Sequence, residues 1–224
     1  MENNRIKFIA CATVLEEIQP FLTPDIEPVS LESGLHLRPE KLKEALQDVI
    51  NEVTDKTETI ILGFGLCSMA VVGLKAGKSL LIVPRVDDCI AMCLGSQEAY
   101  KAQLKKEAGT YFLSRGWIDA GISLMEEFKE MEDKYGKKRT ETIKSAMLKN
   151  YSRLAFIDMG SPNRERYQQF CRHAAKELKL RYEEIKGTTK LLKQMLTGPW
   201  DDSFVVAPPG HTITLEDFRL FPPT

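Results

Sequence analysis

Cys11, Cys67 and Cys89 each stand where a stretch that reads as β-strand runs out, all in the first half of the 224-residue chain. Cys11 closes Ile6-Lys7-Phe8-Ile9-Ala10, and Cys67 follows Thr59-Ile60-Ile61-Leu62-Gly63-Phe64-Gly65-Leu66. Cys89 comes shortly after Leu80-Leu81-Ile82-Val83-Pro84-Arg85. In an open parallel α/β sheet, ligands bind in the crevice outside the carboxyl ends of the strands. If the three strands are parallel neighbours, their thiols converge on one crevice. A single free cysteine reads as a small buried hydrophobe, but three at equivalent strand ends point to a joint role. Soft thiolates select zinc or an iron–sulfur cluster, and a zinc site with an open fourth position is of the catalytic kind. His36, Asp87, water or a partner's ligand could fill that position. Cys93, one helical turn after Cys89, is a weaker candidate, and Cys171 reads as structural.

Other residues could serve the same edge. Gly63 and Gly65 follow a strand as a dinucleotide-binding turn would, but the GxGxxG spacing is missing and a lone GxG is a weak signal. They permit a sharp turn whose amides could face an anion or a thiolate. Arg85 could hold a carboxylate or phosphate bidentately, or pair with Asp88. His36 precedes a Pro-started helix and offers an imidazole suited to borderline metals, against the plainer reading of a loop histidine bonded to backbone. His211, in Pro-Gly-His beyond the last strand, could face the cleft from the second half, while His173 reads as solvent-facing. Trp117 and Trp200 sit in apparent turns and read as packing anchors.

The elements that must position these residues alternate between short β-type runs and longer helical patterns, which argues for βαβ units and a parallel sheet. Strands are expected at 6–10, 58–63, 79–84, 153–157, 181–185 and 203–207, with a short apolar run at 110–113 and a Pro-containing loop from 20 to 33. Thr13 can cap a short helix, and Leu42, Ala45, Leu46, Val49, Ile50 and Val53 share one helical face. A helix-like stretch runs over 90–100, and one or two long amphipathic helices lie between 118 and 150. The expected fold is a Rossmann-like, mostly parallel sheet flanked by helices. It is either one domain or two similar lobes, at 5–117 and 151–220, joined by helices over 118–150.

Hydrophobic content of 43% and charged content of 28% are ordinary for a globular chain. Net charge of −1 draws it to neither nucleic acid nor membrane. The chain has no apolar run of spanning length and its amino terminus has no signal-peptide h-region, so a cytoplasmic location is expected. Thiols stay reduced there, and the five cysteines form no CxxC pair.

Several motifs occur together in order: the early cysteine, Leu35-His36-Leu37-Arg38-Pro39-Glu40-Lys41-Leu42, Gly63-Phe64-Gly65-Leu66-Cys67 and Pro84-Arg85-Val86-Asp87-Asp88-Cys89-Ile90. Leu94-Gly95-Ser96, Thr110-Tyr111-Phe112-Leu113-Ser114-Arg115-Gly116-Trp117 and Asn150-Tyr151 follow. With these the chain resembles the domain of unknown function 1638 family of anaerobic bacteria and methanogenic archaea, over most of its length. Members of that family often occur beside corrinoid-dependent methyltransferase systems. The resemblance implies that Cys11, Cys67 and Cys89 occupy recurrent positions and that Cys93 and Cys171 do not. It also implies a departure, since members commonly carry His-Asp-Cys where this chain has Asp87-Asp88-Cys89.

The expectation is therefore a metal-binding protein with a three-cysteine site, holding zinc or an iron–sulfur cluster, in or beside corrinoid-dependent methyl transfer. A corrinoid protein or methyltransferase would be its partner. The alternatives are a metal-free cysteine-thiol enzyme acting on a small anion, and a non-catalytic small-ligand module.

Overall fold

A computed structural model of the protein describes residues 6–219. The chain opens with β1 (Ile6–Cys11), α1 (Ala12–Ile18), β2 (Ile26–Leu31), α2 (Pro39–Val53), β3 (Thr59–Gly63), β4 (Leu80–Pro84) and α3 (Cys89–Leu94). Next come α4 (Gln97–Lys106), β5 (Thr110–Leu113), α5 (Arg115–Asp119), α6 (Leu124–Tyr135), α7 (Lys137–Met147), β6 (Arg153–Asp158), α8 (Arg164–Leu178) and β7 (Arg181–Lys186). It closes with α9 (Lys190–Thr197) and β8 (Phe204–Ala207). Among the described residues no helix is long and apolar enough to cross a membrane.

The chain forms two compact units. The first holds the residues up to Gln97 together with those from Thr189 onward, and the second holds Glu98–Thr188. The first unit carries a five-stranded sheet in the order β2-β1-β3-β4-β8, parallel except for the antiparallel pair β4–β8. Its central strands are buried on both faces: Phe8, Ile9, Ala10, Ile60, Ile61, Leu62, Leu81, Ile82 and Val83 are fully covered. Such strands read as continuous apolar runs rather than alternating ones. Helix α2 starts with Pro39 at its first turn, where no amide donor is missed, and buries Leu42, Leu46 and Ile50 against the core.

The second unit carries the parallel sheet β5-β6-β7. Its core gathers Leu113, Leu154 and Phe156 with Tyr167, Cys171, Ala174, Ala175 and Leu178 of α8, and Trp117 packs against it. Cys171 is structural, as expected.

The α/β class and the mostly parallel sheet hold, but several elements differ from expectation. The loop expected over 20–33 contains β2, paired in register with β1 so that Pro28 lies opposite Phe8. Proline lacks a ladder donor and is confined to sheet edges, so it masks the strand in the sequence while suiting β2's place at the edge. The helix expected over 90–100 breaks at Gly95, whose φ of 90° ends α3 in a left-handed cap. Of the one or two helices expected between 118 and 150, the chain forms two, α6 and α7, parted at Gly136. β8 returns to pair with β4 across more than a hundred residues and belongs to the first unit. Thr13 is buried inside α1, whose cap position belongs to Cys11.

Candidate functional site: thiols at the switch point of the first sheet

In the first unit the chain leaves β1 for β2 on one side and returns to β3 on the other, so strand order reverses between β1 and β3. The crevice outside the carboxyl ends at such a switch point is where open α/β sheets bind ligands. Cys11 ends β1 and caps α1, Cys67 lies in the turn beyond β3, and Cys89 is the first residue of α3 beyond β4. All three are half-buried, whereas Cys93 and Cys171 are buried.

The turn after β3 is laced to the one after β4. Leu66 N donates to Val86 O at 2.8 Å and Cys67 N to Asp87 O at 2.8 Å. Gly65 permits this approach, since a Cβ there would stand 2.4 Å from Val86 O. Gly63 has an equally local reason, as its Cβ would meet Ala10 Cβ at 2.6 Å. Cys67, Ser68 and Met69 then run consecutively through left-handed backbone, with φ of 44°, 57° and 72°. Non-glycine residues pay roughly 1–2 kcal/mol each for that conformation. Such strain clusters at ligand clamps and active sites. No α-helix fills the crossover from this turn to β4; it is tied instead by Gly73 N to Ile213 O and Ile213 N to Leu74 O.

Burial pushes all three thiols up. Cys67 is pushed up to about 12, first by desolvation and then by the charges of Cys11 and Asp88. Cys89 is raised well above the ordinary thiol value by desolvation, then by Cys11, Cys67, Asp88 and Cys93. Desolvation also raises Cys11, with the amides of Val14 and Thr13 at the start of α1 working against it. The three strand-end thiols thus lie within reach of one another's charge. Among the described residues no group of three or more His, Cys, Asp or Glu side chains is spaced to hold a metal ion. The donor set suits a soft ion in type.

The neighbouring acids already have tasks. Asp87 accepts from Gln97 Nε2 at 2.6 Å while its own N–H donates to Gln97 Oε1 at 2.8 Å. Asp88 caps α3, accepting from Ile90 N and Ala91 N. Arg85 donates from Nη1 to Asp202 O at 3.1 Å, and its buried Nε has no hydrogen-bond partner among the described residues. His36 is exposed in the 3-10 turn Ser33–Leu37 that follows β2. Because Leu31 at the end of β2 pairs with Cys11, that turn leaves from the same sheet edge. His211 is at the opposite edge: β8 runs antiparallel and ends beside Leu81 at the start of β4. There its Nε2 stands 2.9 Å from Asp217 Oδ2. Trp200 donates from Nε1 to Met195 O, an anchor as expected.

Two features of the site were missed in the sequence. The left-handed run at 67–69 carries no glycine to signal it, and the Gln97 partner of Asp87 lies beyond a break in what reads as one helix. A composition cue existed only for the close approach at Gly65.

Fold and site together define an open α/β protein with thiols clustered at the switch point of its larger sheet. The chain belongs to the family described as "Protein of unknown function (DUF1638)", which matches residues 30–196. The matched segment includes His36, Cys67, Arg85 and Cys89, while Cys11 and β8 lie outside it. No curated protein and no solved structure gave a match to the chain.

Proposed function

We propose that the protein binds a thiophilic metal centre, zinc or an iron–sulfur cluster, through Cys11, Cys67 and Cys89, and acts in or beside corrinoid-dependent methyl transfer in one-carbon metabolism. Its place would be the cytoplasm and its partner a corrinoid protein or methyltransferase. The observation that carries the metal reading is the electrostatics at the switch point. Desolvation raises all three thiols, and negative charge adds to it at two of them: Cys11 and Asp88 at Cys67, and Cys11, Cys67, Asp88 and Cys93 at Cys89. Coordination by a cation removes both penalties at once, because a metal-bound thiol is deprotonated outright. A bound soft ion would supply Lewis acidity toward a thiolate or a methyl acceptor.

The same observation weighs against a metal-free thiol nucleophile. Reactive cysteines have lowered pKa values in electropositive surroundings, and Cys67 is pushed the other way. Arg85, the expected anion holder, already gives Nη1 to a carbonyl.

Anaerobic purification followed by metal analysis tests the proposal. Stoichiometric zinc or iron is expected, lost when Cys11, Cys67 and Cys89 are all replaced by serine in a chain that keeps its circular dichroism. Absence of any bound transition metal from the wild-type chain, as isolated and after anaerobic reconstitution, would sink it.

A further inference from the structure

In the second unit, we infer that α6 and α7 form a docking surface for a second copy of this chain, giving a reversible two-fold dimer. The two helices make a hairpin. The chain turns at Gly136, with a positive φ of 77° that glycine adopts freely. Lys144 Nζ of α7 lies 5.8 Å from the centre of the Phe128 ring of α6, at equal distances in sequence from that turn. The helices therefore run side by side in opposite directions. Phe128 is buried in the unit's core, with Leu124, Met125, Met131 and Leu148 packed against it. Of the 11 residues of α7, only Thr140 is buried. Helices in proteins draw most of their stability from packing one face, and α7 has most of its surface uncovered.

The uncovered surface is both apolar and charged. Among the described residues the exposed large apolar side chains are Met69, Tyr135, Met147, Tyr151 and Val206, and three of these five belong to the hairpin or lie just beyond it. They mark its two ends. Tyr135 is at the turn, while Met147 and Tyr151 are at the open end, the length of α7 or about 16 Å away. Helix α6 carries Glu126, Glu127, Glu130, Glu132 and Asp133 against Lys129 and Lys134, a net charge of −3. Helix α7 carries Lys137, Lys138, Arg139 and Lys144 against Glu141, a net charge of +3. Within one chain these charges do not neutralise each other. Among the described residues the only ion pair on the hairpin is Lys144 with Glu141 at 3.9 Å, inside α7. Lys134 and Arg139 lie instead over the Tyr135 ring, each 5.2 Å from its centre.

An acidic helix beside a basic one is complementary to its own copy. A two-fold rotation lays α6 of one chain over α7 of the other, and by the same operation α7 over α6. A nucleic acid or an acidic protein would gain α7 but be repelled by α6 next to it. With the hairpins antiparallel, the turn end of each meets the open end of the other. Tyr135 on one side then meets Met147 and Tyr151 on the other, twice. The face is about 16 Å long and about 20 Å wide. That is small beside the roughly 800 Å² per partner of a standard interface, so association is weak and depends on salt.

Sedimentation equilibrium of the full chain at about 0.05 M and about 0.5 M salt tests this. A dimer with Kd on the order of 10 μM is expected at low salt, weakened tenfold or more at high salt. Lys137→Glu, Lys138→Glu and Arg139→Glu together should give a monomer, as should Glu130→Lys, Glu132→Lys and Asp133→Lys together. All six positions are exposed, so both variants should keep the wild-type circular dichroism. Mixing the two reversed chains should restore association, since each then meets the opposite charge. A wild type that stays monomeric at low salt, or a dimer indifferent to salt, would overturn the inference without need of any variant. A dimer that survives both reversals would place the interface elsewhere and overturn it too. So would folded, monomeric variants that fail to recombine. A wild type that binds heparin while remaining monomeric would overturn it in favour of a plain basic patch.

Discussion

Gly65 and Val86 stand so close that a single methyl group at position 65 would come within 2.4 Å of the Val86 carbonyl oxygen. That oxygen also accepts the Leu66 amide. The missing side chain thus sets how near the Cys67 turn can lie to the turn that leads into Cys89.

Gly65→Ala is expected to destabilise the chain by about 1–3 kcal/mol, the usual range for overpacking. The clash is with backbone, which cannot swing aside as a side chain would. Urea denaturation checks this, and an unchanged midpoint would contradict it.

In the metal-free protein Cys67 should alkylate slowly at neutral pH, because its thiol is pushed up to about 12. Its rate should climb roughly tenfold per pH unit from 7 to 10 without levelling, whereas an ordinary thiol levels off near 8.5. Peptide mapping after iodoacetamide pulses would follow each cysteine separately. A plateau for Cys67 below pH 9 would count against the raised value.

Asp88→Ala removes the cap of α3 and one of the charges that raise Cys67 and Cys89. The expected pair of effects is a stability loss of about 1 kcal/mol, typical of a lost N-cap, and faster alkylation of both thiols. Reactivity that falls instead would mean that Asp88 acts on the thiols by something other than charge.

In the second unit Glu183 is held down to about 2, first by Lys106, whose Nζ lies 2.5 Å away, then by Arg181 and Arg153. A carboxylate with a depressed folded pKa contributes stability above its unfolded value, and that contribution fades as pH falls toward the folded one. The wild type should therefore exceed Glu183→Gln in stability at pH 7, with the gap closing between about pH 4.5 and 2. Arg153 makes the difference at pH 7 larger, being 0% exposed and left with Glu107 as its remaining ion pair. A gap that stays constant down to pH 2 would rule out this linkage.

The strands that carry the thiols were legible because their burial on both faces writes itself as Phe8-Ile9-Ala10, Ile60-Ile61-Leu62 and Leu81-Ile82-Val83. What escaped depended on partners far along the chain. β2 looks like a loop because Glu27, Pro28 and Ser30 break the apolar pattern, and only pairing with β1 makes it a strand. β8 reads correctly as a strand, but nothing local says that it joins β4 rather than β7. The edge bearing the cysteines followed from topology, whereas the commitments of Asp87 and Asp88, and the left-handed turn, depended on hydrogen bonds that no spacing announces.

The turn at Cys67, Ser68 and Met69 makes stability and thiol placement compete. Glycine adopts left-handed backbone freely, so Ser68→Gly and Met69→Gly should relieve strain, and Met69, 45% exposed, contributes little packing to lose. The same relief lets the turn wander among conformations that no longer hold Cys67 beside Asp87 and at the mouth of the crevice. A selection for heat resistance alone would soften this segment first. The hardened chain would have a thiol that no longer knows where to stand.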